Sequence, residues 1–386
     1  MNNSSLSMIE MLQKLIATPS MSSVSPEFDI SNRAVIDMLA QWLEDFGFEV
    51  EIMPLPTQPH KANLLARIGP VNPESQGLMF AGHTDTVPYD EQRWNHDPFK
   101  LIELNHRFYG LGTSDMKAFF ALVIEAVRKI EVSKLAQPIF ILATADEESS
   151  MEGARMLVER GCPNVRYAVI GEPTGLKPIN AHKGMMMESI RLVGQAGHSS
   201  DPSLGVNALE AMHDVIGEIL KWRTSLQKRF KNENFKVPFP TLNLGHIIGG
   251  DNPNRICGSC ELHIDLRPLP GMNIDELRNE LSEHIDQTLK NRRIKWNVHS
   301  LSPATPPLLT PHNSPIVTEA ENLTKHKCGS VAFCTEGPYL KQLGIDTIIL
   351  GPGDIDQAHQ PDEYIALERI DPMITIISNL IKRFCT

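Results

Sequence analysis

No run of apolar residues in this 386-residue chain is long enough to cross a membrane. Positive charge is in deficit: 36 Lys and Arg stand against 47 Asp and Glu, a net charge of −11. That balance argues against a nucleic-acid partner and leaves no basic patch for anionic lipid. Repeats and low-complexity tracts are missing, and 41% hydrophobic residues is an ordinary globular composition. Disorder along the whole length is therefore excluded. Residues 1–5 are polar and lack the basic and apolar segments of a secretion signal, so a cytoplasmic protein is expected. Cysteine is sparse. Cys162, Cys328, Cys334 and Cys385 are scattered, and Cys257 and Cys260 form a Cys-x-x-Cys with no second pair to complete a zinc knuckle. On the strand expected there, residues three apart face opposite ways, so buried thiols are expected.

What is present is an alternation of helical stripes and short apolar runs, in a chain long enough for two domains. Leu6, Ile9, Leu12, Leu15 and Ile16 form one stripe. Val35, Met38, Leu39, Trp42, Leu43 and Phe46 form a stronger one, with Ser31 as its expected N-cap and Gly47 as its stop. Strands are expected near 48–53, 63–68, 77–82, 138–145 and 167–171, with helices at 117–130 and 151–159. Such alternation predicts an α/β domain: a mainly parallel mixed sheet flanked by helices, with functional groups beyond the strands' C-terminal ends. From about residue 183 the grain changes. Strands at 185–193, 242–248 and 255–266 and helices at 206–222 and 274–289 form a βαββα run, an inserted α+β ferredoxin-like domain. Further helical and strand signals at 313–325, 331–334, 346–350 and 367–384 return the chain to the first domain. The expected division is 1–181 with 293–386, and 182–292.

Residues that carry chemistry fall where strands or turns meet loops. The apolar run Leu78, Met79, Phe80, Ala81 ends at Gly82, and His83 and Asp85 follow. In extended backbone these two point to one face, which suits a metal ligand and the acid that orients its ring. Asp115 precedes a helix, Glu147 and Glu148 follow a buried strand, Glu172 follows the next, and His359 lies near the chain's end. Each alone reads as an ordinary loop carboxylate or a satisfied histidine; their joint placement is harder to reach by accident. Oxygen and nitrogen ligands without thiolate suit two divalent ions in an open catalytic site. An Asp between two ions can bridge them, and the pair can clamp a water and polarise a carbonyl. A glutamate beside that water would act as general base.

The stretches 82–88, 146–148, 171–174 and 358–359, taken together, resemble the dinuclear zinc aminoacylase, carboxypeptidase and desuccinylase family over nearly the whole chain. The resemblance implies a zinc-exopeptidase-like catalytic domain, a lid and dimerisation domain, and a homodimer paired through that lid. It implies two divalent metal ions, zinc or alternatively cobalt, and a small N-acyl amino acid as substrate. His83, Asp115 and Glu172 would bind one ion; Asp115, Glu148 and His359 the other. Asp85 would hold the His83 ring, Glu147 would be the base, and the Asp115–Met116 peptide would be cis. The stretch 194–200 is similar to the family's lid motif, in which His198 would bind the substrate carbonyl, often from the partner subunit. Asn254 and Arg267 are candidates for the substrate carboxylate or the oxyanion, a task that suits the guanidinium fork.

Within the family, 109–117, 175–178, 254–257 and 260–271 resemble the branch that deacetylates an Nα-acetyl amino acid. The desuccinylases usually carry Arg where Leu111 stands and a Gly-rich loop at 334–337. Glu336 there could face a cationic substrate side chain. Ala118 stands where the family often has Gly. The expected reaction is metal-dependent hydrolysis of an Nα-acetyl amide. Desuccinylase, aminoacylase or dipeptidase chemistry, and a non-catalytic binding protein of the same fold, are the alternatives; a binder has no need of a base beside a metal-bound water.

Overall fold

A computed structural model of the protein describes residues 6–70, 75–161 and 163–386; residues 1–5 and Cys162 lie outside the described residues. The chain divides into two units. One comprises Met1–Asn180, Thr310–Gly329 and Thr335–Thr386, the other Ala181–Leu309 and Ser330–Cys334. The principal strands are β1 (Glu49–Pro54), β2 (Ala62–Ile68), β3 (Gly77–His83), β4 (Ile139–Thr144) and β5 (Val165–Ile170) in the first unit. The second holds β6 (Met186–Val193), β7 (Thr241–Gly249), β8 (Ser259–Arg267) and β9 (Lys295–Ser300), and the chain returns to the first for β10 (Asp346–Ile349).

In the first unit the strand order is β1-β2-β4-β3-β5-β10. β4, β3, β5 and β10 run parallel, whereas β1 and β2 pair antiparallel at one side. Every residue of β3 is buried. Leu78 and Phe80 pack on one face of the sheet, with the helices Met8–Ala17, Arg33–Asp45, Ala118–Arg128, Pro315–Thr324 and Ile370–Cys385. Met79 and Ala81 pack on the other, against Glu152–Arg160 and Gly337–Gln342. Two covered faces explain the unbroken apolar runs of β3 and β4, since a strand buried on both sides has no use for alternation. β3 is followed in space by β4 on one side and β5 on the other. The order therefore reverses at β3, and its C-terminal end opens a crevice where ligands collect in such sheets.

Local chemistry sets the helix ends. Met8–Ala17 opens with a capping box: the Glu10 N–H donates to Ser7 Oγ (3.3 Å) and the Ser7 N–H to Glu10 Oε2 (2.7 Å). Arg33–Asp45 departs from expectation, because Asn32 and not Ser31 sits at its cap. The Asn32 side chain does not cap the helix. Its amide donates to Ala62 O and Thr84 Oγ1, both at 2.8 Å, and accepts the Ala62 N–H at 3.1 Å. The buried main chain at the start of β2 must find partners, and Asn32 supplies them.

The second unit is a four-stranded antiparallel sheet, β7-β8-β6-β9, with helices Ala208–Arg229 and Ile274–Leu289 packed on one face. The unit runs to Leu309, past the expected division near residue 293, because β9 pairs with β6 along six residues. Only Trp296 and Val298 of β9 pack inward, too small an apolar signal to mark a strand. β8 begins at Ser259 and not at 255. Cys257 and Cys260 are free, buried thiols.

Candidate metal centre and active site

His83 is the last residue of β3, Glu147 and Glu148 follow β4, and Glu172 lies two residues beyond β5. Asp115 precedes the helix Ala118–Arg128, and the Asp115–Met116 peptide is cis. Asp146 turns the chain after β4 with φ at 58°. Its carboxylate accepts from Lys61 Nζ (2.7 Å), Ser22 Oγ (3.0 Å) and Gln58 Nε2 (2.9 Å). Lys61 is only 2% exposed and also donates to Asp29 at 2.7 Å. This buried ion pair fixes the turn that presents the two glutamates. On the other side, Glu363 accepts the main-chain N–H groups of Gly112 (2.9 Å), Ser114 (2.6 Å) and Asp115 (2.9 Å). Neither Lys61 nor Glu363 was foreseen with a role. Glu363 lies four residues after His359, the one hint available in sequence.

Asp115 joins the two histidines. His83 Nε2 lies 3.1 Å from Asp115 Oδ1, and His359 Nε2 lies 3.6 Å from Oδ2. His83 Nε2 is also 3.7 Å from Glu172 Oε1, and His359 Nε2 is 3.0 Å from Glu148 Oε1. The ligand atoms of His83, Glu147 and Glu172 lie within 4.8 Å of one another, as do those of His83, Asp115 and Glu148. Asp85 differs from its expected role. Its main-chain carbonyl accepts from His83 Nδ1 at 2.9 Å, whereas its carboxylate Oδ1 stands 3.8 Å away. Asp85 Oδ2 instead accepts the Glu148 N–H at 3.0 Å. The acid orients the next strand's loop, and the carbonyl orients the ring.

The electrostatics of this cluster are those of too many acids. Burial, then the neighbouring Glu172, Glu148 and Asp85, push the Glu147 carboxyl well above its ordinary range, with His83 opposing. Burial and Asp115 do the same to Glu172. Burial chiefly lifts Asp85 to about 7, and burial lifts Glu363 to about 8. The hydrogen bond that His359 donates to the Glu148 carboxylate raises His359 to about 9. Burial opposes charge on His83, but Asp115, Glu172 and Asp85 carry it well above the usual imidazole value. Lys117 is pulled down to about 8 by burial, and its ammonium donates to the Thr18 carbonyl at 3.0 Å. Glu172 Oε1 and Asp85 Oδ1 are buried with no hydrogen-bond partner among the described residues. Buried, unpartnered carboxylate oxygens beside histidine nitrogens fit divalent cations. A cavity of about 110 Å³, lined by Tyr89, Arg93, Trp94, Leu111 and His359, adjoins the cluster.

The remaining candidates are Glu336 in the first unit and His198, Asn254 and Arg267 in the second. Glu336 is buried and accepts from Thr144 Oγ1 at 2.7 Å, while its Oε1 has no hydrogen-bond partner among the described residues. His198 and Asn254 are exposed at one end of the second unit, linked by the Ser199 N–H donating to the Asn254 carbonyl (3.1 Å). His198 Nδ1 accepts from the Ser200 hydroxyl (2.8 Å) and N–H (3.2 Å), which leaves Nε2–H as a free donor. Arg267 closes the far end of β8, with its Nε on Asp265 at 2.9 and 3.1 Å. Asn254 lies beyond the opposite end of that nine-residue strand.

The sequence profile of peptidase family M20/M25/M40 matches residues 79–383. The chain belongs to this family. It is a hydrolase of the M20 peptidase fold. A relative from Edwardsiella ictaluri named acetylornithine deacetylase is 49% identical over 389 residues, covering 100% of both chains. One of the same name from Yersinia pseudotuberculosis is 48% identical over 379 residues, 98% of this chain and 97% of its own. Among solved structures, a tripeptidase from Staphylococcus aureus shares the M20 fold with a TM-score of 0.74 at 18% identity, covering 98% of this chain and 97% of its own. A Bacillus subtilis protein described as a dinuclear metal-binding M20 peptidase aligns with a TM-score of 0.69 at 14% identity, 98% of each chain.

Proposed function

We propose that this M20/M25/M40 hydrolase removes the acetyl group of N2-acetyl-L-ornithine, giving L-ornithine and acetate, a step of arginine biosynthesis in the cytoplasm. The observation that carries the reaction class is Asp115 between two histidines, ringed by Glu147, Glu148 and Glu172, with Glu172 Oε1 buried and unpartnered. The substrate is supported by two full-length relatives that bear the deacetylase name.

His83, Asp115 and Glu172 would hold one divalent ion and Asp115, Glu148 and His359 a second, zinc or alternatively cobalt. When bound, these ions supply Lewis acidity to a water and to the acetyl carbonyl. Glu147 takes the proton of the water and delivers it to the leaving amine. Burial, and then the acids around it, raise its proton affinity, which suits a group that accepts a proton and passes it on. The Asp85 carbonyl holds Nδ1–H of His83, so that Nε2 presents its lone pair to the site. Asp85 Oδ2 holds the Glu148 main chain in place. His198 donates Nε2–H to the oxyanion. Glu336, with one buried oxygen unpartnered, is the counter-charge for the ornithine side-chain ammonium.

The spacing of the second unit's candidate groups supports a homodimer. His198 and Asn254 lie at one end of β8 and Arg267 at the other, roughly 25–30 Å away along the strand. An acetylated amino acid cannot reach both ends in one copy. The two ends therefore serve two substrates, one in each copy. β7 is an edge strand with Ile247 and Ile248 exposed at 49% and 62%, a surface that pairing would cover.

The deciding experiment is turnover of N2-acetyl-L-ornithine, N-succinyl-diaminopimelate and N-acetyl-L-methionine by metal-reconstituted protein, with a chelated control. Preference for the first, lost on chelation, is the expected result. Metal-dependent preference for another would move the substrate and keep the chemistry. No turnover by protein shown to carry two ions would overturn both.

A further inference from the structure

A second polar cavity in the first unit, of about 300 Å³, is formed by residues with no part in the proposed reaction. Its floor is a β-hairpin of Ile102–Leu104 and Arg107–Tyr109, joined by Asn105 and His106 alone. Both turn residues adopt the left-handed region, with φ at 52° and 59°. Asparagine accepts that conformation readily; histidine does so less readily. The hairpin is tied to the segment before the last helix. Tyr364–Ala366 pairs with Arg107–Tyr109, and the Leu367 N–H donates to the His106 carbonyl at 3.0 Å. This tie sets Arg107 and Glu368 on the same cavity.

The charges around the cavity do not cancel pair by pair. Arg369 Nη2 is bound to Asp354 at 3.1 Å, and its other amine points to the Pro352 and Gly353 carbonyls, so that pair is closed. Arg107 lies 4.0 Å over the Tyr364 ring and donates to the Tyr109 hydroxyl at 3.3 Å. Among the described residues it forms no ion pair with a carboxylate, and Glu368 forms none with a cation. One unpaired guanidinium and one unpaired carboxylate thus share a cavity at the lower end of the small-ligand range. A bare anion would leave Glu368 unmatched, and a bare amine would leave Arg107 unmatched. A ligand bearing both a carboxylate and an ammonium matches both. The stacked guanidinium has its orientation already set, which favours bidentate carboxylate recognition.

We propose that this cavity is a second small-molecule site that takes a free α-amino acid with a short side chain, its carboxylate on Arg107 and its ammonium on Glu368. The site does not depend on the reaction proposed above. It is tested by calorimetric titration of the full-length, metal-loaded protein with L-alanine, and with acetate and ethylamine as the two half-ligands. Saturable binding of L-alanine is expected, with each half-ligand weaker by about tenfold or more. Arg107→Ala and Glu368→Gln should each weaken L-alanine by about tenfold and leave hydrolytic turnover measured without it unchanged. Glu368 is exposed, so Glu368→Gln remains decisive even if loss of the Arg107 stack disturbs folding. Absence of saturable binding, acetate binding as tightly as L-alanine, or L-alanine binding unaltered in Glu368→Gln would overturn the proposal.

Discussion

The strand ends of the first unit and the sheet ends of the second treat polar groups in opposite ways. In the first, Asp85, Asp115 and Glu172 are buried among other acids, and two of their oxygens have no hydrogen-bond partner among the described residues. In the second, His198, Asn254 and Arg267 are exposed or half-exposed, and the side chains of His198 and Arg267 bond Ser200 and Asp265, two residues away. A buried polar atom without a hydrogen bond is costly, and carboxylate oxygens of this kind beside histidine nitrogens suit a divalent cation. An exposed, locally satisfied group carries no such signal; its role depends on a substrate or another chain. One unit thus carries an unmet electrostatic demand, and the other carries surfaces that wait for company.

The sharpest test of the buried cluster is Glu147→Ala, which should lower kcat by roughly 10²–10⁴. Metal content by elemental analysis and unfolding should stay near the parent; ordinary kcat in this variant would remove Glu147 from its role. Lys61→Met leaves Asp146 and Asp29 unpaired in the interior and should cost about 3–5 kcal/mol in denaturant unfolding. The exposed Arg292–Asp214 pair of the second unit offers the contrast: Arg292→Ala should cost no more than about 1 kcal/mol. Equal losses would erase the distinction between the two regions.

His198→Ala should lower kcat by roughly 10²–10³ without loss of metal. Mixed and re-paired with Glu147→Ala, it should recover turnover, because each defect lies in a different copy's contribution. Failure to recover would return His198 to its own chain. A smaller effect is expected of pH on chelated protein. Asp85, raised from 3.8 to about 7, stabilises the fold fully below the lower value and not above the upper. His359, raised from 6.5 to about 9, acts in the same direction at higher pH, while the lowered Asp115 acts in the opposite sense only below 3.8, outside this window. The Tm of chelated protein should therefore fall as pH rises through this window, and bound metal should abolish the fall. A rising Tm would mean that the acids are less crowded than the structure shows. The smallest effect is expected of Glu336→Gln, a several-fold rise in KM for N2-acetyl-L-ornithine that N-acetyl-L-methionine does not share. Equal rises for both would remove Glu336 from side-chain recognition.

Much of the first unit's framework was legible because its signals are local. A run such as Leu78–Ala81 followed by Gly82, His83 and Asp85 marks a buried strand and its functional end within a few residues. The Glu147–Glu148 pair after Ile139–Thr144 reads the same way. β9 was not legible, because it pairs only along one side and turns just Trp296 and Val298 inward. The cap of Arg33–Asp45 was misread for a related reason: Asn32 answers to Ala62 and Thr84, thirty and fifty-two residues away. The scaffold of the candidate site was likewise hidden. Glu363 meets Ser114 across 249 residues and Lys61 meets Asp146 across 85.

By itself the sequence determined the alternation of strands and helices, the mixed sheet they make, and which acids and histidines stand at the strand ends. Periodicity, apolar runs and turn residues act over a handful of positions, and those are written in the chain directly. Tertiary structure alone decided that a main-chain carbonyl and not the Asp85 carboxylate orients His83, that Glu363 gathers three amides beneath Asp115, and that Glu336 is sealed inside. Main-chain donors and acceptors are identical at nearly every residue. Only the path of the chain through space determines which of them a given side chain meets.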